Sequence, residues 1–238
     1  VCGRDGRRRE VVDLAALGVP VKPPDIALHG DGRIVFADAD ASVLHRCRLP
    51  AGPCETIDPG LNRFDAQPVL PLNSLKIALD DATQRYYIAD NAGHRLVITD
   101  FAGHVLDRSP PGAVHHPNHL YLRAPGELTV VDTDRHRIAT YDVHGDRFGA
   151  QLDEVAADEG EYSRPGRRLP FDSVPLPDGK TAVLIADWRM KDADVVILGA
   201  NGLPARRIDL GADSDPYDVE LWGDRLVVSD ATRYELEA

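Results

Sequence analysis

An all-β fold, a β-propeller of four-stranded antiparallel blades, is what this sequence predicts. Three observations carry it. Short apolar runs ending in aspartate recur along the chain, Gly/Asp turns divide them from their neighbours, and no stretch of about ten residues or more keeps a helical period.

The recurring runs are Ile34-Val-Phe-Ala-Asp38, Tyr87-Ile-Ala-Asp90, Leu128-Thr-Val-Val-Asp132, Val183-Leu-Ile-Ala-Asp187 and Leu226-Val-Val-Ser-Asp230. Their aspartates lie 52, 42, 55 and 43 residues apart, close to the ~40 to 50 residues of a four-stranded blade. Upstream of each run is a second apolar stretch led by proline or a small polar residue: Pro24-Asp25-Ile-Ala-Leu28, Asn73-Ser74-Leu-Lys-Ile-Ala-Leu79, Pro117-Asn118-His-Leu-Tyr-Leu122, Pro170-Phe-Asp172-Ser-Val174 and Pro216-Tyr-Asp218-Val-Glu-Leu221. These are the expected innermost strands. Turns such as His29-Gly-Asp-Gly32 and Pro177-Asp-Gly179 join the two, with residues that tolerate positive φ. After the aspartate the chain returns, as in Arg95-Leu-Val-Ile-Thr-Asp100 and Arg137-Ile-Ala-Thr-Tyr-Asp142.

Asp90-Asn-Ala-Gly-His94-Arg95-Leu96 and Asp132-Thr-Asp-Arg-His136-Arg137-Ile138 resemble NHL repeats. The segments around Asp38, Asp187 and Asp230 keep the strand and aspartate but lack His-Arg, so the resemblance is to NHL-like propellers, a group related to six-bladed rings. In this motif the aspartate accepts N–H groups of the following turn and the arginine pairs with carboxylates or carbonyls. His94 and His136 are accordingly assigned to structure and not to ligand binding.

About five blade equivalents are expected within one propeller domain over residues 1–238, closed by the termini or forming part of a six-bladed ring. Val1–Gly6 and Arg9–Leu14 read as a turn and an outer strand, and Tyr234–Ala238 as a third strand broken off early. The first residue is Val and the only methionine is Met190, so the chain reads as a piece of a longer polypeptide.

Composition narrows the partners. Lys and Arg number 27 against 39 Asp and Glu, for a net charge of −12, and 43% of residues are hydrophobic. That balance suits a globular core and disfavours nucleic-acid binding, which calls for a basic patch larger than Arg7-Arg8-Arg9. No apolar run approaches the ~18 residues of a membrane span, so this segment is not expected to insert into a bilayer.

Cys47 and Cys54 are expected to pair. A hairpin centred on Pro50-Ala51 sets them directly opposite each other, and opposed strand residues fall within disulfide reach. The bond implies an oxidising compartment and an extracytoplasmic location, periplasmic or secreted. Cys2 has no assigned partner.

Function is expected on the face where chain connections enter the innermost strands. Asp25, Ser74, Asn118, Asp172 and Asp218 are expected at equivalent positions around one channel mouth, a ring of oxygen donors suited to ligand binding. Asp25, Asn118, Asp172 and Asp218 are the candidate metal ligands, and calcium is the cation such oxygens suit. The structural alternative is that they cap strand entrances and hold channel water. His115, His116 and His119 form the densest imidazole cluster, although neighbours on an extended strand point to opposite faces and do not converge readily. His116 or His119 is the candidate channel-facing base, and Trp188 a candidate contact residue beyond Asp187. Two long insertions, 55–67 and 153–164, belong to the same face. No nucleophile elbow, phosphate loop or dinucleotide fingerprint is present.

Two functions fit these features. The first is a non-catalytic binding or sensor scaffold presenting loops to a protein, peptide or small-molecule ligand. The second is a calcium- or zinc-dependent hydrolase or lyase with its site at the channel mouth.

Overall fold

The computed structural model describes residues 13–19, 25–49, 52–61, 75–157, 168–187, 193–212, 214–230 and 235–237. Ser74, Trp188, Cys2 and most of the 1–14 segment lie outside them, as does much of each insertion.

Five antiparallel sheets follow one another along the chain. The first blade comprises β1 (Asp25–Leu28), β2 (Arg33–Asp38), β3 (Val43–Arg48) and β4 (Cys54–Ile57). The second comprises β5 (Leu75–Asp80), β6 (Arg85–Asp90), β7 (Arg95–Asp100) and β8 (Val105–Arg108). The third runs β9 (Pro117–Ala124), β10 (Glu127–Asp132), β11 (Arg137–Asp142) and β12 (Gln151–Ala156). The fourth runs β13 (Arg168–Pro175), β14 (Thr181–Asp187), β15 (Asp194–Leu198) and β16 (Pro204–Asp209). The fifth has three described strands, β17 (Pro216–Trp222), β18 (Arg225–Asp230) and β19 (Glu235–Glu237).

Each blade aspartate is the last residue of its second strand, and all five are buried. Asp132 shows why. Its carboxylate accepts the His115 N–H at 2.6 Å and Arg137 Nε at 2.9 Å, while Arg137 also donates to the Ala113 carbonyl on the connection from the second blade. Asp90 repeats the device with Gly93 N–H (3.0 Å) and Arg95 Nε (2.7 Å). A Cβ on Gly93 would stand 2.4 Å from Asp90 Oδ2 and 2.8 Å from Arg95 Nε, so glycine is required there by the ion pair it borders.

Alternation along the strands divides their side chains between neighbouring blades. Tyr86, Ile88 and Val97 pack with Val35, Ala37 and Leu44 of the first blade, whereas Tyr87, Leu96 and Ile98 pack with Leu128, Val130 and Tyr141 of the third. Val131 and Ile138 meet Val183, Ile185 and Val196, and Leu184 and Val195 meet Val219 and Val228. The core is thus a series of seams between successive blades.

Cys47 and Cys54 are register partners on β3 and β4 and form the expected disulfide, with a Cα–Cα distance of 4.2 Å. Two readings change. Asp13 and Leu14 do not continue an outer strand: Asp13 Oδ1 accepts the Ala15 and Ala16 N–H groups and starts a 3₁₀ turn at Ala15–Leu17. Leu14, Leu17 and Val19 then pack on Phe36 and Cys47. The insertion expected over 153–164 also begins inside a strand, β12, where Asp153 pairs with Arg123 (3.2 Å) and Glu154 with Arg137 (2.6 Å). Among the described residues no helix is long and apolar enough to cross a membrane.

Candidate functional site

Counting back from the blade aspartates fixes which inner-strand residues are equivalent. The residue before the aspartate pairs with Asp25 on β1, Lys76 on β5, His119 on β9 and Asp218 on β17, whereas on β13 it pairs with Leu169, and Asp172 lies past an irregularity in the ladder, opposite Leu184. Stacking the sequence on its proline and small polar residues instead aligned Ser74 and Asn118, one or two positions away. The irregularity at Val131/Asp132 accounts for the slip in the third blade, whereas the β5–β6 ladder that carries Lys76 is regular. Lys76 was missed, as was Glu220. Their signal is a charged residue within an otherwise apolar inner strand.

Asp25, Lys76, His119, Asp218 and Glu220 line a cavity of about 720 Å³ between the inner strands, together with Ile26, Tyr121 and Tyr217. Against His119 and Asp218 of this wall lies Asp172, buried to 1% exposure. Its Oδ1 accepts the Ser173 N–H (2.7 Å) and its Oδ2 the Val219 N–H (2.8 Å). His119 Nδ1 stands 2.7 Å from Oδ1, a charge contact outside hydrogen-bond alignment, and Asp218 supplies a further hydrogen bond. An ionised carboxylate offers about four acceptor positions; three donors reach Asp172 and the His119 ring lies against its Oδ1.

Asp25 makes the same stitch between the first two blades. Its Oδ2 accepts the Ile77 N–H at 2.7 Å, as Asp172 accepts the Val219 N–H, and Lys76 Nζ lies 3.9 Å from its Oδ1. Asn118 works differently. Its Oδ1 accepts from Asn91 Nδ2 and its Nδ2 donates to Thr133 Oγ1, both at 2.7 Å, and Thr133 in turn donates to the Pro170 carbonyl. This relay joins the second, third and fourth blades. It commits the Asn118 oxygen to a neighbour.

The charges pull the titrations apart. Burial alone would raise Asp172, but the His119 charge, the Asp218 hydrogen bond and Lys76 hold it well below the usual carboxylate range. Asp218 is pushed up to about 8, by burial first and then by the hydrogen bond and negative charge of Asp172. Burial raises Asp25 and Glu220 as well. For Lys76 and His119, burial works against the charged form and the surrounding carboxylates more than offset it, so both are raised. At neutral pH the pair Asp172–Asp218 shares one proton between the two carboxyls.

Of the sequence candidates, the structure brings His119, Asp172 and Asp218 together, with ligand atoms within 4.8 Å of one another, and sets Asp25 beside Lys76. His115 and His116 stay away from this group, at the seam between the second and third blades. Ser74 and Trp188 lie outside the described residues.

No protein-family model matches the chain, and no curated protein matches it in sequence. Solved structures do. A catalytically inactive virginiamycin B lyase from Staphylococcus aureus, solved with quinupristin, superposes with a TM-score of 0.63 at 12% identity over 90% of this chain and 66% of its own. The Cps50 (Swd1) β-propeller domain of Myceliophteria thermophila gives 0.60 at 14% identity, over 86% and 65%. A chain of the nidogen/laminin complex gives 0.56 at 19% identity, over 87% and 71%. The protein thus spans just under two thirds of the first two of these chains. At such identities the shared property is the fold, and the fold is a β-propeller.

Proposed function

We propose that this chain is an NHL-like propeller domain, within a longer extracytoplasmic protein, that binds a cationic peptide or small molecule at its channel mouth. The observation that carries the reading is the 720 Å³ cavity whose wall sets three carboxyls, Asp25, Asp218 and Glu220, beside Lys76 and His119. The half-exposed Tyr217 and Ile26, each 57% exposed, border it and suit an apolar body attached to the charge. Pockets of this kind bind through apolar walls and a few placed polar groups. The nidogen/laminin neighbour is a propeller crystallised in a protein complex, which supports a scaffold role, and the Cys47–Cys54 bond supports an oxidising location.

Calcium fits the cluster less well than an organic cation, because a metal would have to displace a donor already seated on Asp172. An amine or guanidinium can instead take up the acceptors of Asp25 and Glu220 and the carbonyl oxygen of the protonated Asp218. The test is a peptide and amine array probed with the wild-type protein, Asp218→Asn and Glu220→Gln. Cationic hits that both substitutions weaken are expected. Hits indifferent to both, or confined to acidic ligands, would defeat the reading.

One observation favours a second function. A carboxyl that keeps its proton beside an ionised partner and an imidazolium is the arrangement general acid–base catalysis uses, so a hydrolase or lyase, metal-dependent through His119, Asp172 and Asp218, is the competing reading. Turnover lost in both His119→Gln and Asp218→Asn would establish it.

A further inference from the structure

Beside the channel, at the seam of the second and third blades, three imidazoles meet around one carboxylate. His94 closes the turn between β6 and β7, His115 and His116 immediately precede β9, and Asp134 lies in the turn between β10 and β11. Asp134 Oδ2 stands 2.7 Å from Nδ1 of His115 and 2.7 Å from Nδ1 of His116. An ionised carboxylate only accepts, so both rings donate from Nδ1 and leave the Nε2 lone pair facing away from Asp134. The His94 ring stacks on His115 with centroids 4.1 Å apart and planes 8° apart, and lies 4.5 Å from His116.

One ligand nitrogen from each of the three rings falls within 4.8 Å of the others. Two nitrogens on a tetrahedral zinc ion lie about 3.3 Å apart, given Zn–N distances of about 2.0 to 2.1 Å, so the rings close by at most about 1.5 Å to share one ion. Adjacent histidines on an extended strand would diverge, but His116 has φ +54° and turns the chain before the strand begins. The backbone holding them is clamped: the Thr133 N–H donates to the His116 carbonyl (3.2 Å), the Asp134 N–H to that of His115 (3.3 Å), and the His115 N–H to Asp132 (2.6 Å). His94 Nδ1 accepts the His116 N–H at 3.1 Å. Its ring must turn over to offer a lone pair, which makes it the most weakly held of the three ligands.

We propose that His115, His116 and His94, oriented by Asp134, bind a divalent transition ion of the zinc type, bridging the second and third blades. Imidazole ligands select zinc, copper and nickel over calcium or magnesium. A carboxylate on the far ring nitrogen is the outer contact that fixes the tautomer of metal-binding histidines. Three protein ligands leave a fourth position open to water or to a group from a bound partner. The site is separate from the channel cluster of His119, Asp172 and Asp218.

The experiment is calorimetric titration of chelator-treated protein with Zn²⁺, repeated with Co²⁺ as a visible-absorbing probe. One ion per chain is expected. His115→Gln and His116→Asn should each abolish tight binding, asparagine being a residue that tolerates the positive φ at 116. Asp134→Asn should weaken binding about 10- to 100-fold, and His94→Gln should weaken it less than either of the other histidine changes. Circular dichroism identifies any variant that fails to fold, and for such a variant modification of the three rings with a histidine reagent, with and without Zn²⁺, gives the same answer in the wild type. No stoichiometric binding, or binding undiminished in His115→Gln and His116→Asn, would overturn the proposal. Binding lost in His119→Gln and retained in those two variants would do the same.

Discussion

Asp218→Asn should flatten the pH dependence of stability. In the folded protein Asp218 is pushed up to about 8, whereas in the unfolded chain an aspartate titrates near 3.9. A carboxyl raised on folding stabilises the native state at acid pH and loses that contribution as pH climbs from the unfolded to the folded value. Across that window the native state keeps one proton that the unfolded chain has released, which costs about 1.4 kcal/mol per pH unit. The raised Asp25 and Glu220 act in the same direction, and His119 adds to the fall above its ordinary value, while Asp172, which is lowered, contributes its change at the acid end. Asparagine removes the Asp218 proton yet keeps an N–H donor for Asp172. Between about pH 5 and 7 the wild type should lose roughly 2.7 kcal/mol more than the variant, which is roughly 5 to 11 °C of melting temperature for a chain of this size. Urea unfolding at half-unit pH steps reads the slopes directly. Parallel curves for the two proteins would refute the shared-proton account of the channel.

Replacing Cys47 and Cys54 by serine opens a loop of sequence separation 7 and should cost about 2 to 3 kcal/mol on the chain-entropy account; a melt within a degree of wild type would contradict it. Arg137→Ala strands the fully buried Asp132 carboxylate and should destabilise by about 3 to 5 kcal/mol, measured by urea denaturation. Gly93→Ala drives a methyl group into the Asp90–Arg95 pair and should cost about 1 to 3 kcal/mol in the same assay. Added calcium should leave the melting temperature unchanged, because Asp172 is already held by Ser173, Val219 and Asp218 with the His119 ring against it. A calcium site filled to one hundred times its Kd would add about 2.7 kcal/mol, so a rise reversed by chelator would reinstate a cation at the channel.

The blade repeat was legible because its aspartates serve a backbone need: Asp38 and Asp90 accept an N–H of the turn that follows, Asp132 and Asp230 one from the connection into the innermost strand, so the residue recurs at the same place. The Cys47–Cys54 pair was legible for a similar reason, since a hairpin fixes its own register. The channel was harder to read. Lys76 and His119 become equivalent to Asp25 and Asp218 only through strand pairing, and irregular ladders at Asp132, Asp172 and Asp218 break the constant spacing between the inner strand and the blade aspartate. Asn118 looked like an open oxygen donor, but its amide is spent on Asn91 and Thr133, contacts made across turns distant in sequence. His94 joins His115 and His116 across a blade seam, and the positive φ of His116 defeats the strand alternation that argued against convergence.

The seams also bear on how the polypeptide reaches its native state. Each of the four inter-blade clusters draws on two successive blades, so a nascent chain leaving the ribosome can complete one seam as soon as the next blade emerges. The exposed flank of the last finished blade then acts as the template for its successor. In such near-neighbour arrays growth proceeds from a formed end, and domains assembled during synthesis begin at the amino terminus. Slowing translation within the fourth blade would leave the first three already joined, and the nascent chain would resist protease up to Ala157 before Asp172 exists to receive Val219.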